Sequence, residues 1–222
     1  MKNYVIFFVL LTCSQMNAQI LKKGFSYLSE VDGSIQQELR YFSINNFIGK
    51  KIDGYNKNTI IISNAAANAL KKVQAELKQM GLSLKVYDAY RPQQSVDHFV
   101  RWAKKLNDTL MKQSYYPTIR KSDLFKLGFI ASKSGHTRGS SVDLSIVEIK
   151  TNKEIDMGSS YDFFGATSHS FHKKLSSRQE KNRMLLRNIM IKNGFKPYDK
   201  EWWHFTLIDE PFPNTYFNFD IE

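Results

Sequence analysis

The sequence predicts an α+β domain in which an antiparallel sheet is flanked by helices. Three observations carry that expectation. Three segments repeat apolar residues at helical spacing, three shorter ones alternate with period two, and the two kinds follow one another without the regular strand-helix alternation of a parallel sheet. At 222 residues, with 42% hydrophobic and 14% aromatic content, the chain is long enough to bury one full core, and no repeat or linker divides it.

Taken in order, residues 1–18 read as a secretory signal peptide: Lys2, an apolar run over residues 5–11, and Ala18 at the exit. The run is too short to span a bilayer, so no transmembrane segment is expected in the mature chain. Export to the periplasm or cell envelope follows, with residues 19–222 as a single domain. Alternative readings are a buried N-terminal element, or lipid attachment through Cys13, which Thr12 fits poorly. Cys13 is the only cysteine, so the mature chain would hold any transition metal through imidazole and carboxylate. The formal charge is +11. Removing residues 1–18 takes one lysine with it and leaves about +10, which suits an anionic wall or membrane surface. The basic residues are scattered, without an arginine-rich arm or aromatic platform, so no nucleic-acid partner is expected.

Asn64 is placed to cap a helix whose stripe is Ala66, Leu70, Val73, Leu77 and Met80, ending at Gly81. Residues 84–88 alternate as a strand, and Pro92 opens a second helix with Val96, Phe99, Val100 and Ala103 on one face. Residues 142–147 alternate as another strand, followed by a turn at 151–153 that leads back into Ile155. Ser177 and Glu180 suggest a capping box for a helix through Met184, Leu185, Ile189 and Met190, stopping at Gly194. Residues 202–207 form the last strand.

Chemistry concentrates in two places. In the first, a glycine-punctuated loop presents His136 and runs into a strand bearing Asp143, a carboxylate costly to bury without a cation or hydrogen bonds. In the second, Glu201 and His204 flank two tryptophans. On an ideal strand these two would face opposite ways, so Glu201 must lie at a bend, which Asp199 and Lys200 can supply. His136, Asp143 and His204 then make a nitrogen-and-oxygen set that leaves a fourth position open, as in a catalytic zinc site. Glu201 is free to act as base. Arg91, set at a corner by Pro92, either pairs structurally with Asp88 or acts as a second positive donor to an oxyanion. His98 reads as structural, His169 as loop-stabilising or site-lining, Trp202 and Trp203 as core and site wall, and Met157 as core.

The words YDAYRP, SKSGHTRGSSVDLS, MGSSYDFFGATSH and EWWHF, in this order, resemble the D-alanyl-D-alanine dipeptidases of the vancomycin-resistance type. These VanX-like enzymes belong to the zinc peptidases that share a fold with the hedgehog signalling domain. The likeness runs from about Gly24 to the C-terminus. It implies one Zn2+ held by His136, Asp143 and His204, Glu201 as base, and Arg91 as transition-state stabiliser. It also implies Ser134 near the carboxylate of a small dipeptide substrate, D-Ala-D-Ala, with Asp162 and Tyr41 near its amino group. Gly135 stands where the best-known members carry serine, and Tyr161 where they carry phenylalanine. Competing readings are a carboxypeptidase or endopeptidase acting on longer cell-wall peptides, and a non-catalytic zinc-stabilised binding module.

Overall fold

The computed structural model describes residues 21–222; the expected signal peptide, Cys13 and the first two residues of the expected domain lie outside them. Seven strands form: β1 Phe25–Tyr27, β2 Gln36–Gln37, β3 Ile61–Ser63, β4 Leu82–Asp88, β5 Ser141–Glu148, β6 Phe195–Tyr198 and β7 Glu201–Leu207. Six helices accompany them: α1 Leu28–Val31, α2 Asn64–Gln79, α3 Gln93–Lys104, α4 Lys112–Tyr115, α5 Leu124–Leu127 and α6 Ser177–Lys192. The main sheet has the order β2-β4-β5-β7-β6. The predicted α+β class and antiparallel sheet are present, with one departure: the short β2 pairs parallel to β4. A second, two-stranded sheet of β1 and β3 went unpredicted, because three-residue strands are too short to display a period.

Helix α2 buries Ala66, Leu70, Val73 and Leu77 as the spacing required. Two details differ. Ser63, not Asn64, is the cap, accepting from the Ala66 amide, and Met80 is exposed because the chain leaves the helix there into Gly81, whose φ of +73° needs glycine. Helix α3 follows Pro92 with Val96, Phe99 and Ala103 buried and Val100 partly so. The capping box of α6 is Ser176 with Gln179, one residue ahead of the predicted pair. α2 packs on β4 and α6 on β6 and β7, and Lys192 of α6 donates to Glu76 of α2 at 2.6 Å, so these helices lie side by side across the sheet.

Strand β5 corrects the reading of a half-buried, alternating strand. Val142, Leu144 and Ile146 are buried, but so are Ser141, Asp143, Ser145 and Val147. Buried polar groups need partners: Ser141 finds Thr206 and Asp143 the imidazole of His204, whereas the Ser145 hydroxyl has none among the described residues. The turn after β5 forms as expected, with Asn152 at φ 60° and the Ile155 amide returning to the Ile146 carbonyl. Among the described residues no helix is long and apolar enough to cross a membrane.

Candidate metal centre and active site

Three neighbouring strands bring the polar residues into a row. Asp88 at the end of β4 is the register partner of Asp143 on β5, and Asp143 is the partner of His204 on β7. His136 joins them from a 3-10 turn, Gly135–Arg138, capped by Ser134, whose hydroxyl oxygen accepts from the His136 amide at 3.3 Å. The turn ends at Gly139 with φ +83°, where a Cβ would lie 2.3 Å from the Phe25 ring. A side chain at Gly135 would meet the Ser141 hydroxyl at 2.5 Å, so no larger residue fits beside Ser141 without movement.

Oδ1 of Asp143, Nδ1 of His204 and Nε2 of His136 face one another, at 2.9 Å, 3.3 Å and 3.1 Å pairwise. The outer nitrogens are engaged elsewhere: Nδ1 of His136 lies 2.7 Å from the Ala89 carbonyl, and Nε2 of His204 lies 3.4 Å from the Thr206 hydroxyl. The Ala89 carbonyl can only accept, so it fixes the proton of His136 on Nδ1 and turns the lone pair of Nε2 inward. Two imidazole nitrogens and a carboxylate oxygen thus converge on one point, an arrangement that calls for a cation. A tetrahedral ion about 2.0–2.1 Å from each atom would space them by roughly 3.3 Å, close to what is seen, so the residues fit zinc.

Arg91 stands beside this cluster. Its Nε and Nη2 both reach Oδ2 of Asp88 at 2.9 Å, and Nη2 is 3.5 Å from Asp143. The guanidinium packs over the rings of Tyr41 and Phe99 at 5.1 and 5.2 Å. The two readings of Arg91 are therefore compatible: it holds the buried Asp88 and still borders the cavity.

Glu201 begins β7 just after the Asp199-Lys200 turn, paired with Tyr198 across a register irregularity. The predicted bend is there, and Glu201 and His204 line the same cavity. Tyr41 donates to Asp162 at 2.8 Å; Asp162 is buried and held at φ 61°, a strained backbone for a non-glycine residue. Tyr41, Arg91, Ser134, His136, Asp143, Asp162, Glu201 and His204 all line one cavity of about 280 Å3. Every residue to which the sequence assigned a metal-binding, catalytic or substrate-binding role reaches it.

Residues 22–222 match the Peptidase_M15 family, described as D-ala-D-ala dipeptidase. The chain belongs to this family. A D-alanyl-D-alanine dipeptidase of Enterococcus faecalis is 41% identical over 201 residues, covering 90% of this chain and all of that one. One from Enterococcus faecium is 38% identical over 90% of this chain and 98% of its own. A solved variant of the vancomycin resistance D,D-pentapeptidase VanY, in complex with Zn(II), matches with TM-score 0.41 at 13% identity, over 69% of this chain and 76% of that one. That likeness is too slight to bear on this peptidase's chemistry.

Charge in this M15 site is tuned by burial. Burial pushes the Asp143 carboxyl up, but the imidazoles of His136 and His204 outweigh it and hold the group well below the ordinary carboxylate range. Burial pushes Glu201 up to about 7, with the charge of Asp143 adding to the effect and His204 opposing it, which is where a base working near neutrality should sit. Asp162 is raised well above its ordinary value by burial and then by Asp143, against the hydrogen bond from Tyr41. Among the described residues it has no ion-pair partner.

The remaining histidines and tryptophans take other places. His98 accepts from the Asp53 amide through its Nδ1, a structural role. His169 offers its carbonyl to Arg183 and does not line the cavity. Trp202 and Trp203 are buried core and not site wall, with the Trp202 indole donating to Ser159. Met157 is core. Two second-rank residues escaped notice. Tyr55 donates to the free oxygen of Asp88 at 2.8 Å and carries no local signal. Thr206, two residues beyond His204, had one, since period two puts both on the same face.

Proposed function

We propose that this peptidase hydrolyses the free dipeptide D-Ala-D-Ala to two alanines, with one Zn2+ held by His136, Asp143 and His204. The observation that carries the reading is the cavity itself. Its metal-ligating triad, base and cation share one lining with an acceptor suited to an ammonium, Asp162 with Tyr41, and a donor suited to a carboxylate, Ser134.

Bound at the triad, zinc supplies Lewis acidity and acidifies water. Glu201 accepts the proton of the attacking water and returns it to the departing amine, with no covalent intermediate required. Arg91 donates to the oxyanion that develops on the carbonyl; its Nη1 has no protein partner among the described residues. Asp162, buried without a cation, gains one from the substrate's ammonium, which favours its ionised form. Ser134 spends its oxygen on the His136 amide and keeps its proton to donate to the substrate carboxylate. A longer peptide, lacking a free ammonium at that point, would leave Asp162 buried and unpaired, which is how the site rejects it.

We place the protein outside the cytoplasm, in the periplasm or envelope, with residues 1–18 as a cleaved signal and residues 19–222 as the catalytic domain. The charged start, apolar run and small residue at the exit support that reading. The basic surface suits association with an anionic wall. The test is hydrolysis by the zinc-loaded mature chain of D-Ala-D-Ala, L-Ala-L-Ala, N-acetyl-D-Ala-D-Ala and a pentapeptide ending in D-Ala-D-Ala, beside a Glu201→Ala control. Glu201-dependent cleavage of the free D,D-dipeptide alone is expected. Preferred cleavage of the pentapeptide would move the activity to a cell-wall carboxypeptidase, and zinc binding with no cleavage would favour a binding module.

A further inference from the structure

The two oxygens of Asp143 face different neighbours. Oδ1 looks toward His136 and His204, while Oδ2 is 3.2 Å from the hydroxyl of Tyr161 and 3.5 Å from Arg91. A carboxylate that offers one oxygen to a metal must keep the other from rotating in, and a buried second oxygen needs a donor. Arg91 is at the limit of hydrogen-bond reach, and its fork is committed to Asp88 at 2.9 Å. Tyr161 is better placed.

The Tyr161 ring is clamped. It stacks on Tyr87 with centroids 4.4 Å apart and planes 9° from parallel, meets the edge of Trp203 at 5.6 Å, and lies under the Arg40 guanidinium at 5.5 Å. With the ring 1% exposed, its hydroxyl has one position. That oxygen also lies 3.2 Å from the Tyr41 hydroxyl, whose own proton goes to Asp162 at 2.8 Å, so Tyr41 and Asp143 are alternative acceptors at equal distance for the one proton of Tyr161. The carboxylate is the stronger acceptor of the two.

We propose that Tyr161 is a positioning residue for the metal centre: its hydroxyl donates to Oδ2 of Asp143 and holds Oδ1 toward the two imidazoles. This rests on the divalent-metal reading of the triad. The same hydroxyl abuts Tyr41, so it ties the metal end of the cavity to the end that takes the ammonium.

Tyr161→Phe deletes one oxygen and keeps the clamped ring. The dissociation constant of Zn2+ is measured on the full mature chain by competition with a chromophoric chelator, together with the visible absorption of the Co2+ form and the melting temperature. Zinc binding is expected to weaken by about tenfold, the low end for loss of a group that orients a ligand, with a shifted Co2+ spectrum. Tyr87→Phe removes the hydroxyl of the other ring in the stack, which touches Glu154 and not Asp143, and should leave zinc affinity unchanged. A Tyr161→Phe affinity within twofold of the parent overturns the proposal, as does an equal loss in Tyr87→Phe, which would assign the effect to the stack. A parent chain that binds no zinc stoichiometrically sinks the metal reading itself, an outcome separate from either.

Discussion

Arg91 carries two loads that a pair of substitutions can separate. Asp88 is fully buried, with one oxygen facing the Arg91 fork at 2.9 Å and the other accepting from Tyr55 at 2.8 Å. Burial pushes its carboxyl up and Arg91 opposes that push. Arg91→Met leaves the carboxylate without its cation, a change that costs about 3–5 kcal/mol for a buried pair. For a domain of this size that corresponds to a fall in melting temperature on the order of 6 to 20 °C. The double variant Arg91→Met/Asp88→Asn removes the orphaned charge, and the amide can still accept from Tyr55. Its stability should return to within about 1–2 kcal/mol of the parent, the value of the hydrogen bonds lost. Turnover should not return, because removing a donor to the oxyanion costs about 10²–10³ in kcat whatever happens to Asp88. Melting curves in the presence of chelator report the first quantity, and initial rates on D-Ala-D-Ala at saturating zinc report the second. A double variant that regains activity along with stability would show that Arg91 only neutralises Asp88.

Glu201→Gln keeps the shape and removes the base; kcat should drop by about 10²–10⁴ while zinc still binds stoichiometrically, as a chelator competition would reveal. Glu201 sits at about 7 in the metal-free chain, raised from 4.5, and a cation beside it favours the ionised form. Zinc must therefore displace its proton below pH 7, so affinity should weaken as pH falls from 8 to 5 and the slope should lessen in Glu201→Gln; equal slopes would exclude the coupling. Asp162→Asn should raise KM for the free dipeptide by about 10- to 100-fold, the worth of a charge-assisted hydrogen bond, and improve the poor binding of N-acetyl-D-Ala-D-Ala, which no longer leaves a buried charge unpaired. Gly135→Ala should destabilise by about 1–3 kcal/mol through overpacking, because its Cβ meets the Ser141 hydroxyl at 2.5 Å; adding Ser141→Ala should restore the melting temperature, and no recovery would place the strain elsewhere.

The parts of the fold that were legible in the sequence are those whose pattern is local. The α2 stripe and the stop at Gly81 were readable because burial follows the helical period there; Met80 was misplaced only because the turn at Gly81 ends the period one step early. The capping box was ambiguous in Ser176-Ser177-Arg178-Gln179-Glu180, which contains two overlapping versions. The structure selects the first, in which Gln179 also reaches Asp156 at 2.9 Å, a contact no local pattern reveals. Alternation along β5 misled because Ser141 and Asp143 are polar yet buried, Ser141 against Thr206 and Asp143 against the imidazoles. The chemically active residues of the cavity were legible because ligand, base and donor types cluster in a few short words of sequence, whereas wall residues such as Phe47, Phe129 and Tyr198 were not. Of the supports of the active residues, Thr206 follows His204 at strand spacing, Tyr55 comes from elsewhere in the chain, and only tertiary structure shows that the hydroxyls of Tyr55 and Tyr161 point at Asp88 and Asp143.

The row of Asp88, Asp143 and His204 across β4, β5 and β7 makes the ion a proofreader of strand pairing. Sliding β5 by a single residue would swing Asp143 to the opposite face of the sheet and, with it, the buried Val142, Leu144 and Ile146, dispersing the donors and the apolar contacts together. An ion that binds only the correctly aligned molecule stabilises that molecule alone, by an amount that grows with its concentration over its dissociation constant. Zinc supplied during folding would thus bias the outcome toward the one alignment able to perform chemistry, and near-native chains with slipped strands would reveal themselves as metal-free.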